Sequence, residues 1–268
     1  LLNISNASDW AKHEIQKASA CNLTIYDLLG NYTDSITRKD FCKLAYRTIA
    51  TEFSPYSDSR LGIGMTMQGI LEEKGLSLNN GFIDCNDTQI ATISAMGIII
   101  GMGDGTFVPD GEVTYAQVCV MLVNAMNYQD DAEYYGGYPN GYIKVAGMSD
   151  LEITKNAPGA ADVASDRGVV IKMVYNALLG QYKEINGYEN GAPTYKANGT
   201  LAKAKFDVID KKGVLTATSK TSVSSTDVQD GQIEIVSDED DEAKLFDCDL
   251  TGLEDYLAQK ITYYYKEN

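Results

Sequence analysis

The chain has 268 residues, and 44% of them are hydrophobic, a fraction typical of soluble globular proteins. Its 38 acidic residues outnumber its 22 basic residues and give a net charge of −16, which argues against nucleic acid as a partner because such partners require a basic surface. No apolar run reaches the length of about 18 residues that a membrane-spanning helix needs, so no membrane span is predicted.

Three segments of the chain share one pattern, a loop followed by an amphipathic helix that begins at a capping residue. Thr37, Thr114 and Asp166 are the predicted N-caps, because a side-chain oxygen at that position accepts an otherwise unpaired N–H of the first turn. Gln117 is expected to complete a capping box with Thr114. The second and third segments align at a constant offset of 52 residues, which indicates an internal repeat.

The repeats are predicted at about 8–51, 82–128 and 138–182, within an N-terminal domain that covers 8–182. Residues 52–81 form an insert in which 59–74 is predicted to be helical. One helix-loop-helix unit cannot bury its apolar face alone, so the three are expected to pack with pseudo-three-fold symmetry. The predicted fold class of this domain is mainly α.

The composition changes after residue 182. Residues 183–197 are rich in Gly, Asn, Pro and Tyr and are predicted to be a linker. Strands are predicted at 203–209, 213–218, 232–236 and 260–266, and a short helix at 249–257. A small all-β or α+β C-terminal domain is therefore expected over 198–268.

The repeats resemble the S-layer homology (SLH) module, and the second repeat carries the most specific match. That match rests on Phe82-Ile83-Asp84, on Gly101 with Asp104-Gly105-Thr106-Phe107, and on Val113-Thr114. Repeats one and three match more weakly, through Asp9-Trp10-Ala11 and Thr37-Arg38-Lys39-Asp40 and through Asp166-Arg167-Gly168. The resemblance covers about 8–182. It implies a non-catalytic, extracellular protein of the cell wall or S-layer of a Gram-positive bacterium, held by a secondary cell wall polysaccharide.

The resemblance also implies a glycan-binding site at the start of the second helix of each repeat. Arg38 follows the cap Thr37, and Arg167 stands at the same position in repeat three. An arginine fork binds a carboxylate through two N–H groups, and a helix N-terminus favours anions. The alternative for Arg38 is a surface cation that pairs with Asp34 or Asp40.

Repeat two contributes the remaining candidate site residues. Tyr115, after the cap Thr114, supplies no charge but offers a ring that stacks on a sugar. Gly103, Asp104 and Gly105 belong to a loop whose backbone is expected to approach a ligand closely. The alternative for this loop is a purely structural turn in which Asp104 bonds local N–H groups.

Other residue patterns favour packing over chemistry. Cys42 and Cys119 occupy the same position in two repeats and are predicted to be buried thiols. The five cysteines form no CxxC pair and His13 is the single histidine, so no metal and no cofactor are predicted. The tyrosine cluster 134–142 is expected to pack in the core, with glycan contact as its alternative.

No catalytic set is recognised, and the chain is predicted not to be an enzyme. Two alternative functions remain open beside wall anchoring. One is a self-associating S-layer or adhesion protein whose repeats contact other surface-layer proteins. The other is the anchoring fragment of a larger secreted hydrolase.

Overall fold

The computed structural model describes residues 4–20, 30–49, 82–95, 99–190, 192–248 and 250–266. The chain divides into two compact units, Leu1–Phe206 and Asp207–Asn268. The helix predicted at 59–74 lies outside the described residues. Among the helices that the structure describes, none combines the length and the apolar character needed to cross a lipid bilayer.

Helices of different repeats pair with one another in the first unit. The described helices are α1 (Asp9–Ala20), α2 (Arg38–Ile49), α3 (Thr88–Ala95), α4 (Tyr115–Ala125), α5 (Gln129–Tyr134), α6 (Asn140–Ala146), α7 (Arg167–Leu179) and α8 (Leu201–Phe206). Helix α1 packs against α7, α3 against α2, and α6 against α4. The first helix of each repeat therefore pairs with the second helix of another repeat, which closes a ring of three.

Three main-chain hydrogen bonds form the centre of this ring. The Ile36 N–H donates to Ser165 O at 3.0 Å, the Ser165 N–H to Val113 O at 2.8 Å, and the Val113 N–H to Ile36 O at 3.2 Å. Each of these residues directly precedes one of the three N-caps. The cycle ties the starts of α2, α4 and α7 to one another and so fixes where their first residues lie.

An ion pair between a buried lysine and a half-buried glutamate joins α7 to α1. Lys172 of α7 is 4% exposed, and its Nζ lies 3.1 Å from Glu14 Oε1 on α1. The same ammonium donates to Trp10 O at 3.4 Å and lies 5.6 Å from the centre of the Trp10 ring. Cys42 and Cys119 are buried free thiols, as predicted, and burial raises the pKa of Cys119 to about 12.

The first unit also contains an antiparallel hairpin of β1 (Gln181–Glu189) and β2 (Ala192–Thr200). The described residues form two antiparallel sheets beside the helices, and this hairpin is one of them, so the prediction of a mainly α N-terminal domain is wrong. The hairpin includes 183–197, whose Gly, Asn and Pro content predicted a linker. Tyr and Thr residues in the same segment favour strands, and the N–H of Lys183 donates to Met126 O, which anchors the hairpin on the helices.

The second unit is a four-stranded antiparallel sheet in the order β5-β4-β3-β6. Its strands are β3 (Ile209–Thr218), β4 (Gln232–Ser237), β5 (Ala243–Asp247) and β6 (Lys260–Tyr265), with a 3-10 helix at Leu253–Tyr256. Leu215, Ile235 and Tyr263 form its core. The strand predicted at 203–209 is wrong over most of its length, because α8 occupies Leu201–Phe206 and is capped by Thr200, whose Oγ1 accepts the Lys203 N–H.

A carboxylate is buried on the opposite face of this sheet. Glu234 is 3% exposed, and the Thr216 hydroxyl donates to its Oε1 at 2.7 Å. Burial opposes ionisation, but hydrogen bonds from Ser224, Thr226 and Thr216 outweigh it and lower the pKa of Glu234. Glu234 therefore fastens the hydroxyl-rich segment after β3 to the sheet.

Candidate functional site

The three capped helices begin with the same side-chain hydrogen bonds. The side chains of Thr37, Thr114 and Asp166 accept the N–H three residues further on, at 3.1, 3.4 and 2.6 Å. The Thr114 N–H in turn donates to Gln117 Oε1 at 3.1 Å, which completes the capping box. All three predicted caps are confirmed.

The two residues that directly follow each cap donate their backbone N–H groups to main-chain carbonyls of another repeat. We call these contacts the first, second and third junctions. At the first junction, Arg38 and Lys39 donate to the carbonyls of Gly111 and Pro109, respectively. At the second, Tyr115 and Ala116 donate to those of Val163 and Ala161. At the third, Arg167 and Gly168 donate to those of Asp34 and Tyr32. Because these N–H groups bond within the protein, the helix ends are not the open anion sites that unpaired N–H groups would provide. Side chains and loops must therefore supply any ligand recognition at the junctions.

Arg38 is buried at the first junction, where it holds the Gly-rich loop of repeat two. Its Nε donates to Phe107 O at 2.7 Å, and its Nη2 donates to Ile100 O at 2.9 Å. The guanidinium carbon also lies 4.7 Å from the centre of the Phe107 ring, a cation–π distance. The residue is 5% exposed, and burial lowers the pKa of its guanidinium, against the opposing effect of Cys42 and Asp84. This geometry makes Arg38 a positioning residue for the loop.

Asp84 fixes the same loop through its two carboxylate oxygens, a role that the sequence analysis did not assign to it. Oδ1 accepts the Phe107 N–H and Oδ2 accepts the Val108 N–H, both at 2.8 Å, and these bonds lower the pKa of Asp84. Val108 has a φ of 56°, a left-handed conformation that is unfavourable for a β-branched residue. The carboxylate thus holds a strained turn, after which Pro109 and Gly111 present their carbonyls to α2.

The tip of the loop, Gly103 to Gly105, is exposed. Gly103 and Gly105 have φ values of 89° and 87°, and among the described residues nothing lies within 4 Å of a Cβ placed on either. Asp104 Oδ1 accepts the N–H and the hydroxyl of Thr106 at 2.9 and 2.6 Å, which is a local turn. The two glycines therefore leave the backbone of the loop tip uncovered, while Asp104 shapes the turn.

Tyr115 is buried at the second junction. Its hydroxyl donates to Ala157 O at 2.9 Å, and burial raises its pKa to about 12. A Cβ on Gly159 would lie 2.0 Å from the Tyr115 ring, so only glycine allows the segment around residue 159 to pack there. A sugar reaches the face of this ring only if that segment moves.

Arg167 is half-buried at the third junction, in contrast to the buried Arg38. Its Nη2 lies 4.0 Å from Asp40 Oδ2, and both side chains are 18% exposed. Asp166 stands beside it, and burial raises the pKa of that carboxyl group. The third junction therefore places a cation at a surface that solvent reaches.

Exposed apolar side chains surround the Gly-rich loop at the first junction. They are Ile83, Ile100, Met102 and Val108. The Ile83 N–H donates to Gly105 O at 3.0 Å, which places this side chain beside the loop tip. Within the described part of the chain, no group of three or more His, Cys, Asp or Glu side chains is arranged to hold a metal ion.

The loop and the capped helix of repeat two match a known family. Residues 88–119 match the model of the S-layer homology domain. The matched segment starts at α3, contains the Gly-rich loop and ends within α4. It therefore includes the loop that Arg38 and Asp84 hold.

Two curated proteins are similar to longer parts of the chain. The middle cell wall protein of Brevibacillus brevis (strain 47 / JCM 6285 / NBRC 100599) is 32% identical over 114 residues, which cover 40% of this chain and 10% of that protein. The cell surface protein of Thermoanaerobacter kivui is 25% identical over 178 residues, which cover 66% of this chain and 21% of that protein. The matches thus span about a tenth and a fifth of the length of these relatives. Residues 88–119 thus resemble the S-layer homology domain, and longer parts of the chain resemble a cell wall protein and a cell surface protein.

Proposed function

We propose that this chain is a non-catalytic protein of the bacterial cell surface that associates with the cell wall by binding a secondary wall polysaccharide. The observation that carries the proposal is the S-layer homology match at 88–119. The names of the two relatives, a cell wall protein and a cell surface protein, support the location. The exposed glycines at the loop tip and the half-buried Arg167 supply surfaces suited to a polar polymer.

The two arginines have different roles in this proposal. Arg38 acts indirectly, since its guanidinium orders the loop whose tip, Gly103 to Gly105, faces solvent. Arg167 acts directly and binds an anionic group of the glycan at the third junction. A local cation is necessary because the net charge of −16 repels an anionic polymer at long range.

Co-sedimentation with purified cell walls tests the proposal. The full chain is expected to sediment with native walls and to remain in solution with walls from which the secondary polymer has been chemically removed. Equal sedimentation with both preparations, or with neither, would contradict polysaccharide anchoring. Light scattering without walls tests the competing function, because concentration-dependent assembly would favour a self-associating surface protein.

Variants of Arg167 test the proposed site. Arg167→Ala is expected to weaken wall binding by about 1.5–3 kcal/mol, the contribution of a hydrogen bond to a charged group, and Arg167→Lys should lose less. Lys155→Ala is the matched control, because it removes an exposed cation that pairs with Glu152 in the same unit. Circular dichroism must show that each variant is folded. Equal binding by Arg167→Ala and Lys155→Ala would remove Arg167 from this role.

A further inference from the structure

Exposed tyrosines lie at the end of α5 and in the turn that leads to α6, away from the three junctions in sequence. Tyr134 is 84% exposed and Tyr138 58% exposed, and Tyr135 is also exposed. Tyr142, predicted in the same cluster, is buried, and its hydroxyl donates to Glu133 Oε1 at 2.9 Å. The cluster thus divides into one core residue and three surface rings. We call Tyr134, Tyr135 and Tyr138 the tyrosine surface.

The backbone beneath the tyrosine surface is tightly built. The Gly137 N–H donates to Ala132 O at 2.9 Å, and the Gly141 N–H donates to Gly137 O at 2.7 Å. A Cβ on Gly141 would lie 2.2 Å from Ala132 O, so glycine is required for this close approach of α5 and α6. Rings on such a turn lose little conformational entropy when they bind a ligand.

Contacts between side chains also orient the rings. Tyr134 and Tyr135 meet edge to face, with ring centres 5.2 Å apart. The Lys144 ammonium lies 3.8 Å from the centre of the Tyr135 ring and covers one of its faces. Tyr134 remains the most exposed of the three rings, and large exposed aromatic side chains held in this way mark an interaction surface.

The charge around the rings restricts what the tyrosine surface can bind. Two exposed carboxylates lie on α5: Asp130, one helical turn before Tyr134, and Glu133, the residue directly before it. Asp130 and Glu133 outnumber Lys144 at these rings, so the surface disfavours an anionic polymer and a second copy of a chain with a net charge of −16. Carboxylates accept hydrogen bonds from hydroxyl groups without requiring a charged partner.

We propose that the tyrosine surface is a second carbohydrate-binding site, which binds uncharged pyranose chains by stacking on Tyr134 and Tyr138 while Asp130 and Glu133 accept sugar hydroxyls. A pyranose ring combines an apolar C–H face with a rim of hydroxyl donors, and the surface offers exposed rings for the face and exposed carboxylates for the hydroxyls. The site is separate from the proposed binding of the wall polysaccharide, because it uses none of the junction residues.

Titration of the ¹⁵N-labelled full chain with two uncharged probes, chitotetraose and cellotetraose, tests this site by nuclear magnetic resonance. Binding in the millimolar range is expected, with amide shifts concentrated at 130–142. Tyr134→Ala and Tyr138→Ala should each weaken binding by about tenfold, as expected for the loss of one stacked ring, and Tyr134→Phe should retain it. Tetragalacturonate, an anionic probe of the same length, should bind more weakly than either neutral probe.

Tyr256→Ala is the matched control, since Tyr256 is comparably exposed in the second unit, at 53%. Three results would each overturn the proposal: no shifts with either neutral probe, shifts centred elsewhere, or an equal loss in the Tyr256 variant. Sedimentation of Tyr134→Ala with native walls separates the two proposals. This variant should keep the polysaccharide-dependent binding that Arg167→Ala loses.

Discussion

Arg38→Ala provides the most direct test of the first junction. The substitution removes a buried guanidinium that donates to two loop carbonyls, those of Phe107 at 2.7 Å and Ile100 at 2.9 Å. It leaves the main-chain bonds from Arg38 and Lys39 to the loop intact, because those depend on the backbone alone. The variant therefore separates the contribution of the side chain from that of the scaffold.

The magnitude follows from the contacts that are lost. A hydrogen bond to a charged group contributes about 1.5–3 kcal/mol, and the cation–π contact with Phe107 adds about 0.5–2 kcal/mol. Because Ile100 is exposed, water can bond its carbonyl in the variant, so the energy lost with this hydrogen bond is taken at the lower limit of the range. With all three contributions taken at their lower limits, we expect a loss of about 3.5 kcal/mol in the free energy of unfolding of the first unit. Arg38→Lys keeps the charge without the planar fork, and its loss should be about half as large.

Chemical unfolding measured by circular dichroism, together with amide hydrogen exchange, checks this value. Exchange should accelerate at Met102, whose N–H donates to Thr106 O within the loop, and should be unchanged in the strands of the second unit. Lys39→Ala is the control, because Lys39 is the half-buried neighbour of Arg38 and a substitution of this kind costs at most about 0.5 kcal/mol. A loss below about 1 kcal/mol in Arg38→Ala, with Met102 exchange unchanged, would refute the assigned positioning role.

Three further substitutions test the packing of the two units by chemical unfolding. Lys172→Met should lower stability by about 3 kcal/mol because it leaves Glu14 without its buried partner, and adding Glu14→Gln should restore part of the loss. Gly159→Ala should destabilise the first unit by about 2 kcal/mol or more, because the new methyl group collides with the Tyr115 ring. Gly103→Ala at the exposed loop tip should destabilise it by only about 1 kcal/mol, because the new side chain meets no neighbour and only the positive φ is unfavourable. Glu234 has a lowered pKa in the folded state, so its ionised form stabilises the second unit. This stabilisation is complete at a pH above the unfolded-state pKa of about 4.3 and is lost as the pH falls through the folded-state pKa. Glu234→Gln should remove this part of the pH dependence, and an unchanged pH profile would contradict it.

The sequence was sufficient for features that depend on local chemistry. The caps at Thr37, Thr114 and Asp166 could be predicted because a capping side chain bonds an N–H only three residues away. The burial of Cys42 and Cys119 followed from helical periodicity. The cap at Thr200 was missed because the following residues were interpreted as a strand, although Leu, Ala and Lys favour a helix.

Features that depend on contacts between distant residues could not be predicted. The acceptors of the Arg38 guanidinium lie 62 and 69 positions away along the chain. The local sequence pattern is the same for a buried arginine that holds a loop and for an exposed arginine that binds a ligand. The hairpin was missed for a similar reason: Gly, Asn and Pro residues in 183–197 suggested a linker, and its anchoring on Met126 and Asp150 is long-range. Tyr134 and Tyr142 are both aromatic and eight positions apart, yet one is exposed and the other buried.

The three junctions share one backbone arrangement but differ in the side chain that begins each helix. The main-chain bonds around Ile36, Val113 and Ser165 use only N–H and C=O groups, so they close the ring whichever side chain follows the cap. That leaves the first helical position able to change without loss of the scaffold, and here it holds a buried Arg38, a buried Tyr115 and a half-buried Arg167. A ligand that requires an accessible cation therefore does not meet three equivalent grooves. Pseudo-symmetry in the backbone is compatible with a single site, and by this reasoning the stoichiometry of glycan binding should be one per chain at the junctions.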